Sequence, residues 1–148
     1  MIKTFTEDES LVTLANKVIE EHKLDYMNSV VVRFLLVGPN ISKTVHGRCI
    51  RANNELKHFG KFDYLIEFSE SVWQALNDET KYILMYHELL HILVKMKKDK
   101  QVLAIAHHDM QDFYSILKKY GVDWFSQFKD VVAATYEIEG ADKDKITI

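Results

Sequence analysis

Cysteine is almost missing from this chain. Cys49 is the single one, so no internal disulfide framework holds the fold. Long apolar runs are missing too. The longest, residues 82–94, is interrupted by His87, Glu88 and His91 and falls short of the ~20 residues that span a bilayer. No excess of positive charge is present. The formal net charge is -3, which gives no support to a nucleic-acid or anionic-membrane partner. Repeats and low-complexity segments are absent, and the opening residues MIKTFTEDES hold no apolar core of a signal peptide. These absences predict a cytoplasmic protein with no membrane attachment. The 148 residues, 47% of them hydrophobic and 28% charged, suit one compact domain over 1–148 with a loose polar tail at about 139–148.

Local patterns predict the elements. Thr6 and Glu9 have capping-box spacing, and Leu11, Leu14, Ala15, Val18 and Ile19 follow at helical intervals. A helix over 7 to about 22 is expected. Residues 30–37, VVVRFLLV, read as a buried strand that stops at Gly38-Pro39-Asn40, a turn signal. A second strand fits within 42–52, and 61–69 alternates Phe62, Tyr64, Ile66 and Phe68 against Asp63, Leu65 and Glu67. Asn77 is placed as the cap of a long helix from Thr80 to about Lys97, whose basic end suits the helix dipole. A loop or short strand over 99–108 follows. Asp109 caps a further helix with Phe113, Ile116 and Leu117 that stops at Gly121, and Trp124, Phe125, Phe128, Val131 and Val132 mark a last one. Helix, strands, then helices give an α+β fold.

The chemistry is concentrated in residues 86–95, YHELLHILVK. Four residues separate His87 from His91, which puts both rings on one face of a helix, one turn apart. Burying them beside Glu88 costs free energy unless something satisfies them. Two imidazoles in this arrangement converge on one metal ion, and Glu88 stands close enough to act on a water at that ion without ligating it. His-Glu-x-x-His on a helix is the pattern of a zinc hydrolase with the glutamate as general base. Histidines satisfied by other core groups are the plainer alternative. Three polar groups at this spacing in an apolar helix weigh against it.

A catalytic zinc site takes three protein ligands. His22, His46 and His58 are expected at the surface. His107 and His108 precede a capped helix that can fold back on the metal helix; Asp112 is an acidic alternative. Asp109 either orients a ligand imidazole or caps its own helix. Glycine at 94 and histidine at 97 would continue the motif as in metzincins. Val94 and Lys97 stand there instead, so the third ligand lies farther along the chain. Neutral imidazoles also suit copper, nickel and iron, so zinc is favoured by the motif rather than by the ligand type.

The segments FDYLIEFSESVWQALNDETKYILMYHELLHIL and HHDMQDFYSILKKYGVDW resemble the small zincin-like phage metallopeptidase family. That family shows a strand, a Trp-bearing segment, His-Glu-Leu-x-His, then His-Asp-x-x-x-Phe and a closing Tyr/His-Gly-x-Trp. Matched residue by residue, His87, Glu88 and His91 fall on its zinc helix and His108 on its downstream histidine. Asp109 and Phe113 follow, and Tyr120, Gly121 and Trp124 match the closing element with one extra residue, Asp123. The resemblance implies a zincin-like fold, Zn2+ held by His87, His91 and His108, and a phage or prophage origin within a bacterial host. It implies a peptide or protein substrate, of host or phage.

In that mechanism Glu88 is the general base, and a substrate strand adds to a sheet edge near the metal, for which 62–68 is the natural candidate. His107, Tyr86 or Tyr120 would supply an oxyanion donor; the sequence leaves that choice open. A rival reading keeps the metal but not the catalysis: a zinc domain that binds or inhibits a host or phage protein. Structural zinc sites use four protein ligands. Glu88 beside the first histidine, with no obvious fourth ligand, favours an open site.

Overall fold

The computed structural model describes residues 2–106 and 127–132. Its core is a four-stranded sheet built from β1 (Thr4–Thr6), β2 (Val32–Gly38), β3 (Gly47–Arg51) and β4 (Tyr64–Ser69), in the order β1-β2-β4-β3. β1 runs antiparallel to β2, β2 parallel to β4, and β3 antiparallel to β4. The helices include α1 (Glu9–Glu21), α2 (Asn54–Gly60), α3 (Glu70–Ala75) and α4 (Asp78–Leu89). A hairpin of β5 (Ile92–Lys97) and β6 (Lys100–Ile105) follows α4 directly, and residues 127–132 are helical. The α+β class expected from the element order is what the fold shows. No helix among the described residues is long and apolar enough to cross a membrane.

Alternation decides which face of the sheet is dry. Tyr64, Ile66 and Phe68 of β4 are fully buried, and Phe34 and Leu36 of β2 stand beside Ile66 and Phe68 in register. Leu11, Ala15 and Val18 bring the buried stripe of α1 onto this face, at the helical intervals read from the sequence. Ile83, Leu84, Met85 and Leu89 of α4 complete the layer, joined by Phe128 and Val132. Each such aliphatic or aromatic side chain contributes about 1.5–3 kcal/mol when fully buried.

Several boundaries differ from expectation. Thr6 does not cap α1, because it pairs with Leu36 in the sheet; Asp8 caps instead, accepting from the Ser10 amide at 2.9 Å. The strand 62–68 is not an edge: β4 lies between β2 and β3, and among the described residues the edges are β1 and β3, of which β3 lies beside Glu88. The long helix to Lys97 ends at Leu89. Residues 92–97 are β-branched and apolar enough to serve as a strand, and pairing with 100–105 outweighs continued helix. A two-residue turn with positive φ at Lys98 (51°) and Asp99 (63°) closes that hairpin. The expected helix after Asp109 and the loose tail lie outside the described residues.

Candidate metal centre

Asn77 caps α4 as expected, its side-chain oxygen accepting from the Thr80 amide at 2.8 Å. Asp78 and Glu79 follow in the first turn, where the helix dipole favours negative charge. His87 and Glu88 sit in the last turn. His91 lies beyond the helix end, yet its amide still donates to the Glu88 carbonyl at 3.2 Å, and Leu90 donates to Tyr86 at 3.0 Å. The helical turn therefore carries through to His91. The two imidazoles stay on one face with ring centres 4.9 Å apart and planes at 84°.

Their Nε2 atoms face one another at 3.3 Å. The other nitrogen of His91, Nδ1, donates to the Ala106 carbonyl at 2.6 Å, and the Ala106 amide returns a bond to the His91 carbonyl at 2.7 Å. With its proton on Nδ1, a neutral His91 presents a lone pair from Nε2. A carbonyl partner of this kind fixes the tautomer and ring angle of metal-binding histidines. All three residues are buried: 3% of His87, none of Glu88 and 8% of His91 is exposed.

Glu88 is the anomaly. Among the described residues neither carboxylate oxygen has a hydrogen-bond partner, and His87 Nε2 lies 3.9 Å from Oε1. Burial alone pushes its carboxyl up to about 8. A buried acid with nothing to hold it is expensive. One ligand atom from each of His87, Glu88 and His91 lies within 4.8 Å of the others. Two imidazole nitrogens and an orphaned carboxylate are a donor set that fits a divalent cation, whose charge would remove the penalty on Glu88.

The surroundings come from the edge strand and the hairpin. A Cβ at Gly47 of β3 would lie 3.5 Å from Glu88 Oε1, so this strand packs directly against the carboxylate. Cys49, two residues on, is not in the ligand group; burial raises its thiol pKa and the charge of Glu88 raises it further. Tyr86, an oxyanion candidate, is buried and stacked on His22 with centroids 3.9 Å apart. His22 is thus half-buried rather than solvated. His58 is exposed as expected, but on α2.

His46, expected at the surface, is buried. Its Nε2 donates to the Lys43 carbonyl at 3.0 Å and its Nδ1 accepts from the Ser69 hydroxyl at 2.9 Å. Ser69 in turn accepts from the Ile41 amide, so this network pins the loop leading into Gly47. His107, His108, Asp109, Asp112 and Tyr120 lie outside the described residues.

Sequence reasoning missed two supports of His91. One is the Ala106 backbone, which no side-chain pattern announces. The other is Tyr64, whose hydroxyl reaches the Ala104 carbonyl at 2.7 Å and the Leu93 carbonyl at 3.2 Å, tying the hairpin root to the sheet. Its place in an alternating strand reads only as core.

No curated protein and no solved structure matches the chain. A family described as "Putative phage metallopeptidase" matches residues 3–136, nearly the whole chain and all of the His-Glu-x-x-His centre. With that match the chain belongs to the phage metallopeptidase family.

Proposed function

We propose that the protein is a zinc-dependent peptidase of phage or prophage origin, acting in the bacterial cytoplasm as a single zincin-like domain. The family implies a metal ion and a protein substrate. The observation that carries the reading is Glu88: a fully buried carboxylate with no hydrogen-bond partner among the described residues, held beside two imidazoles that share a face. His87 and His91 would hold the metal through Nε2. His108 would be the third ligand, with His107 second in line. Chain length supports either, because Ala106 is hydrogen-bonded to His91 and two further residues reach at most about 7 Å.

When bound, zinc supplies a Lewis acid that polarises the scissile carbonyl and brings the pKa of water to about 7. The residues do the rest. Glu88 takes the proton of the attacking water and passes it to the leaving amine. Ala106 keeps the proton of His91 on Nδ1. β3, an edge strand among the described residues, offers its backbone to an extended substrate, with Gly47 next to the base. His107, Asp109 and Tyr120 are the remaining candidates to orient a ligand or donate to the oxyanion.

Elemental analysis of chelator-washed protein tests the metal. About one zinc per chain is expected in wild type and Glu88→Gln, lost in His87→Ala, His91→Ala and His108→Ala. A quenched-fluorescence peptide library then tests turnover, with wild type active and Glu88→Gln silent. A folded wild type that binds no metal, or equal turnover by Glu88→Gln, would overturn the proposal.

A further inference from the structure

The lysines of residues 95–100 lose their simplest explanation once α4 is seen to end at Leu89. At a helix C-terminus they would complement the dipole. On a hairpin they do not. Lys97 stands directly opposite Lys100 in the β5–β6 register, a like-charge pair that destabilises the ladder. The turn between them places Lys98 and Asp99 at positive φ, where glycine or asparagine would be less strained.

Strand alternation sorts the faces of this arm. Ile92, Val94, Leu103 and Ile105 share one face and pack on the core. Lys95, Lys97 and Lys100 share the other, which therefore points away from the core, and Lys98 sits at the tip. All four lysines are exposed, and no ion pair to a described residue engages them. This is local positive charge on a chain whose net charge is -3. The root of the arm is the metal centre itself, since Ile92 follows His91. Its flank meets the edge strand, where Arg51 of β3 donates to the Leu103 carbonyl at 3.1 Å. Between them lies a cleft of about 260 Å³ lined by Arg51, Asn54, Lys57, Asp63 and Gln101, in which Lys57 is already paired with Asp63 at 2.9 Å.

We propose that the β5–β6 hairpin is a docking arm for an acidic segment of the protein substrate. For the identity of the bound molecule as substrate, this rests on the peptidase reading above. Lys95 and Lys97 are four and six residues beyond His91, or ~13 and ~20 Å along an extended strand. An extended substrate cut at the His87–His91 site thus presents residues about four to six positions from the scissile bond to the lysines. Glu or Asp there complements the arm. A polypeptide fits better than a nucleic acid because the positive charge is confined to one six-residue tip. A broad basic face is the usual electrostatic footprint on a phosphate backbone.

The test is fluorescence anisotropy with the full-length Glu88→Gln protein, which binds without cutting. The probes are two labelled peptides of equal length, one with a block of four Glu and one with Gln in its place. The Glu peptide is expected to bind about tenfold more tightly, the effect of a few exposed ion pairs together. High salt and the double variant Lys97→Glu/Lys100→Glu should abolish the difference. Lys97→Glu alone turns the like-charge pair into an attractive one, so it should fold at least as stably while binding the Glu peptide more weakly. Equal binding of both peptides, or no loss in either variant, would overturn the arm. So would tighter binding of a DNA duplex than of the Glu peptide, which would mark a nucleic-acid surface. Because binding is read without turnover, a failed cleavage assay sinks the peptidase reading and leaves the arm standing, and the reverse also holds.

Discussion

Glu88→Gln should stabilise the metal-free protein, and by an amount that grows with pH. In the folded chain burial lifts the Glu88 carboxyl from 4.5 to about 8, with no hydrogen bond from a described residue to offset it. Between those values the folded state holds a proton that the unfolded state has released. Stability must therefore fall as pH rises from about 4.5 to about 8, and level off above. Each pKa unit corresponds to 1.36 kcal/mol, so at pH 7 the accumulated loss is about 3 kcal/mol. That is a large part of a typical folding free energy. Glutamine cannot ionise and escapes it. The assay is urea unfolding in the presence of a chelator, since a cation beside the carboxylate would favour its charged form. Wild type should lose stability steadily from pH 5 to 8. Glu88→Gln should lack that loss and be about 3 kcal/mol more stable at pH 7. The same slope in both proteins, or a less stable variant at pH 7, would show that Glu88 is not the uncompensated acid described above.

Three further changes probe the scaffold. Tyr64→Phe removes the hydroxyl that ties Leu93 and Ala104; it should cost about 1–2 kcal/mol in thermal unfolding. It should also weaken zinc about tenfold in competition titrations, because the hairpin root orients His91. Asp63→Asn probes the opposite sign of charge linkage. Burial works against the Asp63 carboxylate, but the Val31 amide and Lys57 outweigh it and hold its pKa down. Its contribution is present above the free carboxyl's pKa and is lost as pH falls through the lower folded value. An acid series of melting temperatures should show wild type losing stability below about pH 4 more steeply than Asp63→Asn. Gly47→Ala should fold normally, since the added methyl meets its neighbours at 3.5–3.6 Å, ordinary contact distances. Metal content and peptide hydrolysis should both stay at the wild-type level, because the methyl meets the Glu88 oxygen at the same ordinary contact distance.

The pattern of α1 was legible because a buried helix stripe repeats at fixed intervals, and Leu11, Ala15 and Val18 are its buried positions. Alternation likewise marked β4, and Asn77 marked the start of α4. The end of α4 was not legible. No glycine or proline stands near Leu89, and the strand that follows exists only because 100–105 returns to pair with it. Lys98-Asp99 is not a sequence that announces a tight hairpin turn. His46 looked polar and exposed because its partners, Ser69 and the Lys43 carbonyl, are set by the fold of a loop rather than by any neighbouring pattern.

The spacing of His87, Glu88 and His91 by itself determined that two imidazoles and a carboxylate share one end of one helix, since a four-residue interval is local geometry. The near-complete family match rests on the sequence as well. Tertiary structure alone decided that Glu88 is sealed from water with no hydrogen-bond partner among the described residues, that Ala106 holds the His91 tautomer, and that β4 is an inner strand with β3 outside it. Periodicity describes what a segment does to itself. Burial, backbone partners and strand order depend on segments far apart in the chain, and only packing brings those together.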